Sequence, residues 1–282
     1  MSTNKFLKKS IESLYKLPFF KKPLPKNPFG RSIQADKEKY LRIYNKTINN
    51  DDKDVVAFEK ECGFSIDKVW LNDLALHTQI VIKKGDLNFF HGRLLYSLLS
   101  KYINDNKKNS KVAKPIMILE TGTARGFSSI CMAKALNDRN CQGVVSTIDS
   151  IAHEKKMYWN CIDDHDGPKS RSELLKKWDM ELQKIIFIQG WTNDVISRLG
   201  IARINFAFLD AQHTKEDVLR EFKFVSDRQI AGDIVVFDDV TKDYFPGVCE
   251  AVEFIEKNYS YTIEKMNYTS KRGYAIATKN QD

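Results

Sequence analysis

From residue 114 onward the chain alternates between short apolar runs and amphipathic stretches. The runs predict strands at 115–119, 144–148, 185–189, 204–209 and 233–237. Helical spacing follows each of them, near 127–137, 168–181, 193–199, 214–227 and 247–257. Five such alternations predict a mostly parallel sheet covered on both faces. The end breaks the rhythm: 261–268 and 274–278 read as two strands joined by the turn 269–273, an antiparallel hairpin. The stretch 35–104 is helical instead, with apolar residues three and four apart in 36–49, 52–61 and 86–103. In the last of these the stripe is Leu87, Phe90, Leu94, Leu95, Leu98 and Leu99. A polar loop at 84–93 interrupts it, and there His91 and Arg93 either face a ligand or simply sit on a helix. The organisation expected is an arm and linker (1–34), a helical cap (35–110) and an α/β core (111–282).

Charge changes the picture of the arm alone. The chain carries a net +8, but residues 1–31 account for +7 of it, which leaves the body near neutral. That distribution argues against a nucleic-acid-binding body. Residues 3–17 are compatible with a basic amphipathic helix (Leu7, Ile11, Leu14), followed by Pro18, Pro23, Pro25 and Pro28. Such a tethered segment reads first as a solvated or locally docked arm, and it also suits contact with an anionic membrane surface. No run is long and apolar enough for a transmembrane helix, and the start lacks the pattern of a secretory signal. Five scattered cysteines, none in a C-x-x-C pair, point to a reducing compartment, so a cytoplasmic location is expected.

Candidate chemistry gathers at the carboxyl ends of the predicted strands, where open parallel sheets bind ligands. The first strand ends at Glu120 and runs into a turn with Gly122 and Gly126, then a helix. That arrangement presents backbone N–H groups to a ligand, and the absence of Gly-Lys-Ser/Thr excludes a Walker phosphate loop. The second strand ends at Asp149, 27 residues after Gly122, where a carboxylate suits the two ribose hydroxyls of a nucleoside cofactor. The third ends at Gly190-Trp191, the fourth at Asp210 and the fifth at Asp238-Asp239. A second polar cluster, 163–166, lies between strands and is expected to be a loop rather than a metal site.

Leu119-Glu-Thr-Gly-Thr-Ala-Arg-Gly126 resembles the first motif of the class I S-adenosylmethionine-dependent methyltransferases. Asp149, Gly190-Trp191 and Phe208-Leu-Asp210 match the later motifs in order. Phe206–His213, Val235–Val240 and Phe245-Pro-Gly-Val248 are similar to the catechol-type and sugar O-methyltransferase branch. The resemblance implies a Rossmann-like, seven-stranded sheet with an antiparallel C-terminal hairpin. It also implies that Glu120, Gly122, Thr123, Gly126 and Ser128 cradle the cofactor, that Asp149 holds its ribose, and that Gly190 and Trp191 border its adenine. Asp210, Asp238 and Asp239 correspond to the ligands of a Mg²⁺ ion in the metal-dependent members. His213 is placed to take the acceptor proton beside Asp210. One departure stands out: the middle glycine of the motif is Ala124, tolerable unless the backbone needs a positive φ.

The function expected is metal-assisted O-methylation of a sugar or small metabolite, with no nucleic-acid partner and with the oligomeric state open. The alternatives are a non-catalytic cofactor-binding or membrane-tethered scaffold in polysaccharide assembly and, further off, a nucleic-acid methyltransferase.

Overall fold

The computed structural model describes residues 24–85, 87–109, 114–269 and 272–281. The predicted helix at 3–17 therefore lies outside the described residues. Four helices come first: α1 (Lys37–Ile48), α2 (Lys53–Cys62), α3 (Lys68–Thr78) and α4 (Phe90–Asn109). Asp36, Asp52 and Asp67 each cap a helix start by accepting backbone N–H groups of the first turn. The core then runs β1 (Ile116–Thr121), α5 (Phe127–Asp138), β2 (Gly143–Asp149), β3 (Ile185–Gln189), β4 (Phe206–Leu209), α6 (Lys215–Ser226), β5 (Ile234–Phe237), α7 (Pro246–Asn258), β6 (Tyr261–Thr269) and β7 (Arg272–Lys279).

The sheet order is β3-β2-β1-β4-β5-β7-β6, with β1 to β5 parallel and β7 antiparallel to both of its neighbours. Strand order reverses between β1 and β4, so the crevice of this sheet opens at their carboxyl ends. Burial on both faces follows from the two-residue period of the strands. Phe206, Phe208 and Val236 pack with the cap helices and α5, whereas Ala207, Leu209, Val235 and Phe237 pack under α6 and α7. The first of these cores passes without a break from Tyr40, Leu74 and Leu94 into Ile118 and Phe208, so the cap shares its interior with the sheet.

Three sequence expectations need correction. The single helix expected at 168–181 is a chain of short turns: Arg171–Leu174, Lys176–Trp178 and Asp179–Leu182. Tertiary packing overrides the pattern there, because buried Arg171 and Trp178 are drawn to different partners, Ala124 and His77. The helix expected at 193–199 is likewise only Thr192–Val195 and a further turn, Ile196–Arg198. The helix expected at 86–103 starts at Phe90 and continues to Asn109. The chain before it is pinned at Ile82, where Asn160 accepts the Ile82 N–H (3.0 Å) and donates to the Ile82 carbonyl (2.9 Å).

Candidate active site

The glycine turn after β1 is bolted to its neighbours. Gly122 donates to the Ile148 carbonyl and Asp210 donates to that of Thr121, tying the turn to β2 and β4. Gly122 has φ 91°, and a Cβ there would lie 2.1 Å from the Asp210 carbonyl oxygen. No other residue fits. Gly126 (φ 92°) precedes α5, where a Cβ would come within 2.6 Å of Leu175 Cδ1. Between them Ala124 is exposed, and its backbone does adopt the left-handed conformation, φ 45°. The missing glycine therefore leaves a strained alanine, at a cost of about 1 kcal/mol.

The turn's acidic residue faces away from the cleft. Glu120 is fully buried, and its carboxylate accepts from the hydroxyls of Ser128, Ser129 and Thr147, the last at 2.6 Å. Burial raises its pKa, although these three donors pull the other way. Thr123 is also inward, its hydroxyl 2.5 Å from that of Thr147. Glu120, Thr123 and Ser128 were expected to cradle a ligand. Their side chains instead form the buried floor beneath the turn, which leaves backbone N–H groups as the groups presented upward.

Asp149 stands across from Ala124. Its carboxylate accepts the N–H of Ala124 (2.6 Å) and of Ile151 (2.8 Å). Burial raises its pKa, opposed by the Arg171 guanidinium 3.8 Å away. Gly190 donates to the Asp149 carbonyl at 2.8 Å, which brings the end of β3 and Trp191 alongside. A Cβ at Gly190 would meet Val195 Cγ2 at 2.2 Å, so the close approach needs glycine.

The three aspartates at the other strand ends do not form one set. Asp238 is buried, and both of its oxygens accept from Arg272, Nε at 2.9 Å and Nη2 closer still. Burial alone would push its pKa up, but Arg272 overrides that and holds it low. The Asp210 carboxyl is pushed well up, first by burial and then by the charge on Asp238. The atoms placed so that they could share a metal ion, all within 4.8 Å of one another, belong to Asp210, His213 and Asp239, and Asp238 is not among them. Asp239 has φ 58°, which turns it out of the strand direction, and its Oδ2 lies 3.1 Å from His213 Nε2. The His213 ring packs on Phe245, 4.6 Å between centroids. Gly247 lets α7 approach, since a Cβ there would be 2.5 Å from the His213 carbonyl oxygen.

On the cap side, Arg93 is a structural cation, bonded to Glu59 and Asp51. His91 is buried against Phe127 and Phe208, and burial pushes its pKa down to about 3, helped by the charge of Arg272. The loop before α4 brings Lys83 among the charges of Arg272, Asp239 and Arg125. Residues 163–166 are fastened rather than ligand-binding: Asp163 meets His77 (2.5 Å) and Lys169, Asp164 accepts from the Trp159 and Cys161 N–H groups, and His165 meets the Ala35 carbonyl. Sequence reasoning passed over Arg171, Arg272 and Asn160. A signal existed only for the first, which opens the capping box Ser170–Glu173.

Sheet order, the glycine turn after β1 and the C-terminal hairpin together define a class I, Rossmann-like methyltransferase fold. Residues 119–240 match a family model described as a methyltransferase domain. No curated protein matches the chain as a relative. Among solved structures, the cofactor-bound protein Rv0187 from MTB is 15% identical with TM-score 0.51, over 88% of this chain and 100% of that one. An O-methyltransferase from Bacillus cereus, in complex with SAH, is 15% identical with TM-score 0.50, over 86% of this chain and 100% of that one. At such identities the likeness is one of fold.

Proposed function

We propose that the protein transfers the methyl group of S-adenosylmethionine to a hydroxyl oxygen of a sugar or other small metabolite. The observation that carries this is the convergence of Asp210, His213 and Asp239 beside the glycine turn. When bound, the cofactor supplies an electrophilic methyl carbon on a sulfonium: the carbon–sulfur bond breaks as the carbon–oxygen bond forms. The residues present fit such a cofactor, since Asp149 reaches the surface with its side chain 10% exposed and the Ala124 peptide stands opposite it. The protein's own contribution is to hold donor and acceptor in line and to remove the hydroxyl proton.

Asp210 and Asp239, with His213, suit a hard divalent cation such as Mg²⁺, whose charge would lower the pKa of an acceptor hydroxyl. The Asp239–His213 hydrogen bond supports a second version without metal, in which Asp239 orients the imidazole and His213 takes the proton. Lys83 and the rest of the cap loop form the side from which the acceptor is read.

The test is incubation with labelled S-adenosylmethionine and fractionated extract, with and without EDTA. Label transfer that EDTA abolishes and Mg²⁺ restores supports the metal version, whereas transfer indifferent to EDTA supports the histidine alone. Tight cofactor binding with no transfer to any fraction would favour a non-catalytic scaffold and sink the proposal.

A further inference from the structure

Arg171 is among the largest fully buried side chains of the protein, 1% exposed, and nothing in the family motifs calls for it. The capping box of Ser170 and Glu173 sets it at the first position of its helical turn. Its backbone N–H donates to the His153 carbonyl at 2.9 Å. The guanidinium lies between the rings of Trp159 and Phe187, 5.6 Å from each, in aromatic surroundings suited to a flat cation.

From that slot it reaches both walls of the cofactor cleft. Nε donates to the Ala124 carbonyl at 2.9 Å. Nη2 faces Asp149 Oδ2 at 3.8 Å and makes no hydrogen bond of its own. The peptide groups on either side of Ala124 Cα are thus both held, the N–H by Asp149 and the carbonyl by Arg171. This is the residue with φ 45° where the motif ordinarily has glycine. An alanine in this conformation is strained, and bonds at both its N–H and its carbonyl are what over-determine it.

We propose that Arg171 is a positioning residue for the cofactor, bracing the left-handed Ala124 peptide and aiming Asp149 at the ribose. The inference rests on the reading of this cleft as the S-adenosylmethionine site. It assigns to Arg171 the rigidity that a middle glycine would not have needed, and a buried charge to keep Asp149 an acceptor. Other groups facing that carboxylate are the N–H of Ile151, the hydroxyl of Ser150 and, beneath the turn, the Glu120 carboxyl.

Calorimetric titration of the full chain with S-adenosylhomocysteine tests it, in wild type, Arg171→Gln, Arg171→Lys, Ala124→Gly and the combinations. Loss of a charged hydrogen bond predicts affinity weaker by about tenfold in Arg171→Gln. Two further readouts separate positioning from mere packing. Ala124→Gly should recover at least about threefold in the Arg171 variants, because glycine needs no brace. Affinity of Arg171→Gln should also fall more steeply than that of wild type as pH is lowered, because Asp149 has lost its cation. Should Arg171→Gln not fold, Arg171→Lys keeps the charge without the fork and is read by the same relief. Equal affinity in wild type and variants, or a loss that neither glycine nor pH modulates, overturns the inference alone. A wild type that binds no S-adenosylhomocysteine overturns the cofactor reading and this inference with it.

Discussion

Arg272 grips both carboxylate oxygens of Asp238 and so ties the middle aspartate of the three to the sheet. The pair joins the end of β5 to the start of β7, and neither oxygen faces the cleft unpaired. Its removal should act on stability before chemistry. Asp238→Ala removes a bidentate carboxylate from a largely buried guanidinium, expected to cost about 3 kcal/mol. Thermal melts check this: an Asp238→Ala protein that melts with wild type would show that the pair is not needed for the fold.

Asp239 predicts the opposite separation. It is partly exposed, and its carboxylate serves His213 rather than a buried cation. Asp239→Asn should melt within a degree or two of wild type, since exposed sites typically shift stability by under about 0.5 kcal/mol. Its transfer rate should fall by about a hundredfold, the scale of a lost acid–base or metal contact. Response to Mg²⁺ should go with it. Rates measured across a Mg²⁺ titration decide the matter, and a variant as active and as Mg²⁺-responsive as wild type would remove Asp239 from the site.

Gly122→Ala should abolish cofactor binding. The added methyl meets the backbone of Asp210 at 2.1 Å, where no rotamer change relieves it, and the φ of 91° adds strain. Calorimetry reports the loss. A variant that bound as wild type would mean that β1 and β4 separate at little cost.

Glu221 makes stability depend on pH. It is 1% exposed, with Oε2 accepting from Thr121 (2.7 Å) and Oε1 without a partner. Burial pushes its pKa up to about 8, with Asp217 adding to the rise and Arg220 and the Thr121 hydroxyl opposing it. The folded chain therefore keeps the proton to higher pH than the unfolded chain, whose carboxyl titrates near 4.5. Its contribution is full below that value and is lost as pH climbs towards about 8. Melting temperatures should decline over that window, and Glu221→Gln should flatten the decline. A wild-type profile that rises from pH 5 to 8 and matches the variant's would sink the assignment.

The strands were legible because β1, β4 and β5 are apolar on both faces, whereas their order across the sheet is set by pairing between distant segments. The glycine turn was legible for a similar reason, since Gly122 must be glycine to sit against Asp210. Side-chain direction was not. Glu120 and Asp238 stand at strand ends as a ligand-binding acid should, yet one turns under the turn and the other to an arginine 34 residues away. Local sequence says where a carboxylate begins, whereas its partner comes from a distant element. Arg171 was hidden in the same way, in a segment whose helical spacing masks a run of short turns.

Asn160 binds only the main chain of Ile82, through one N–H and one carbonyl, while its own backbone sits at φ 53° and its Oδ1 also takes the Tyr40 hydroxyl. That anchor does not read side-chain identity. Leu87 further on packs against the core, so it is exchanges at 83–85 that should leave this anchor in place, provided position 82 is not proline. The cap side of the cleft thus hangs on a main-chain hook that is separate from the Asp149–Ala124 contact at the glycine turn.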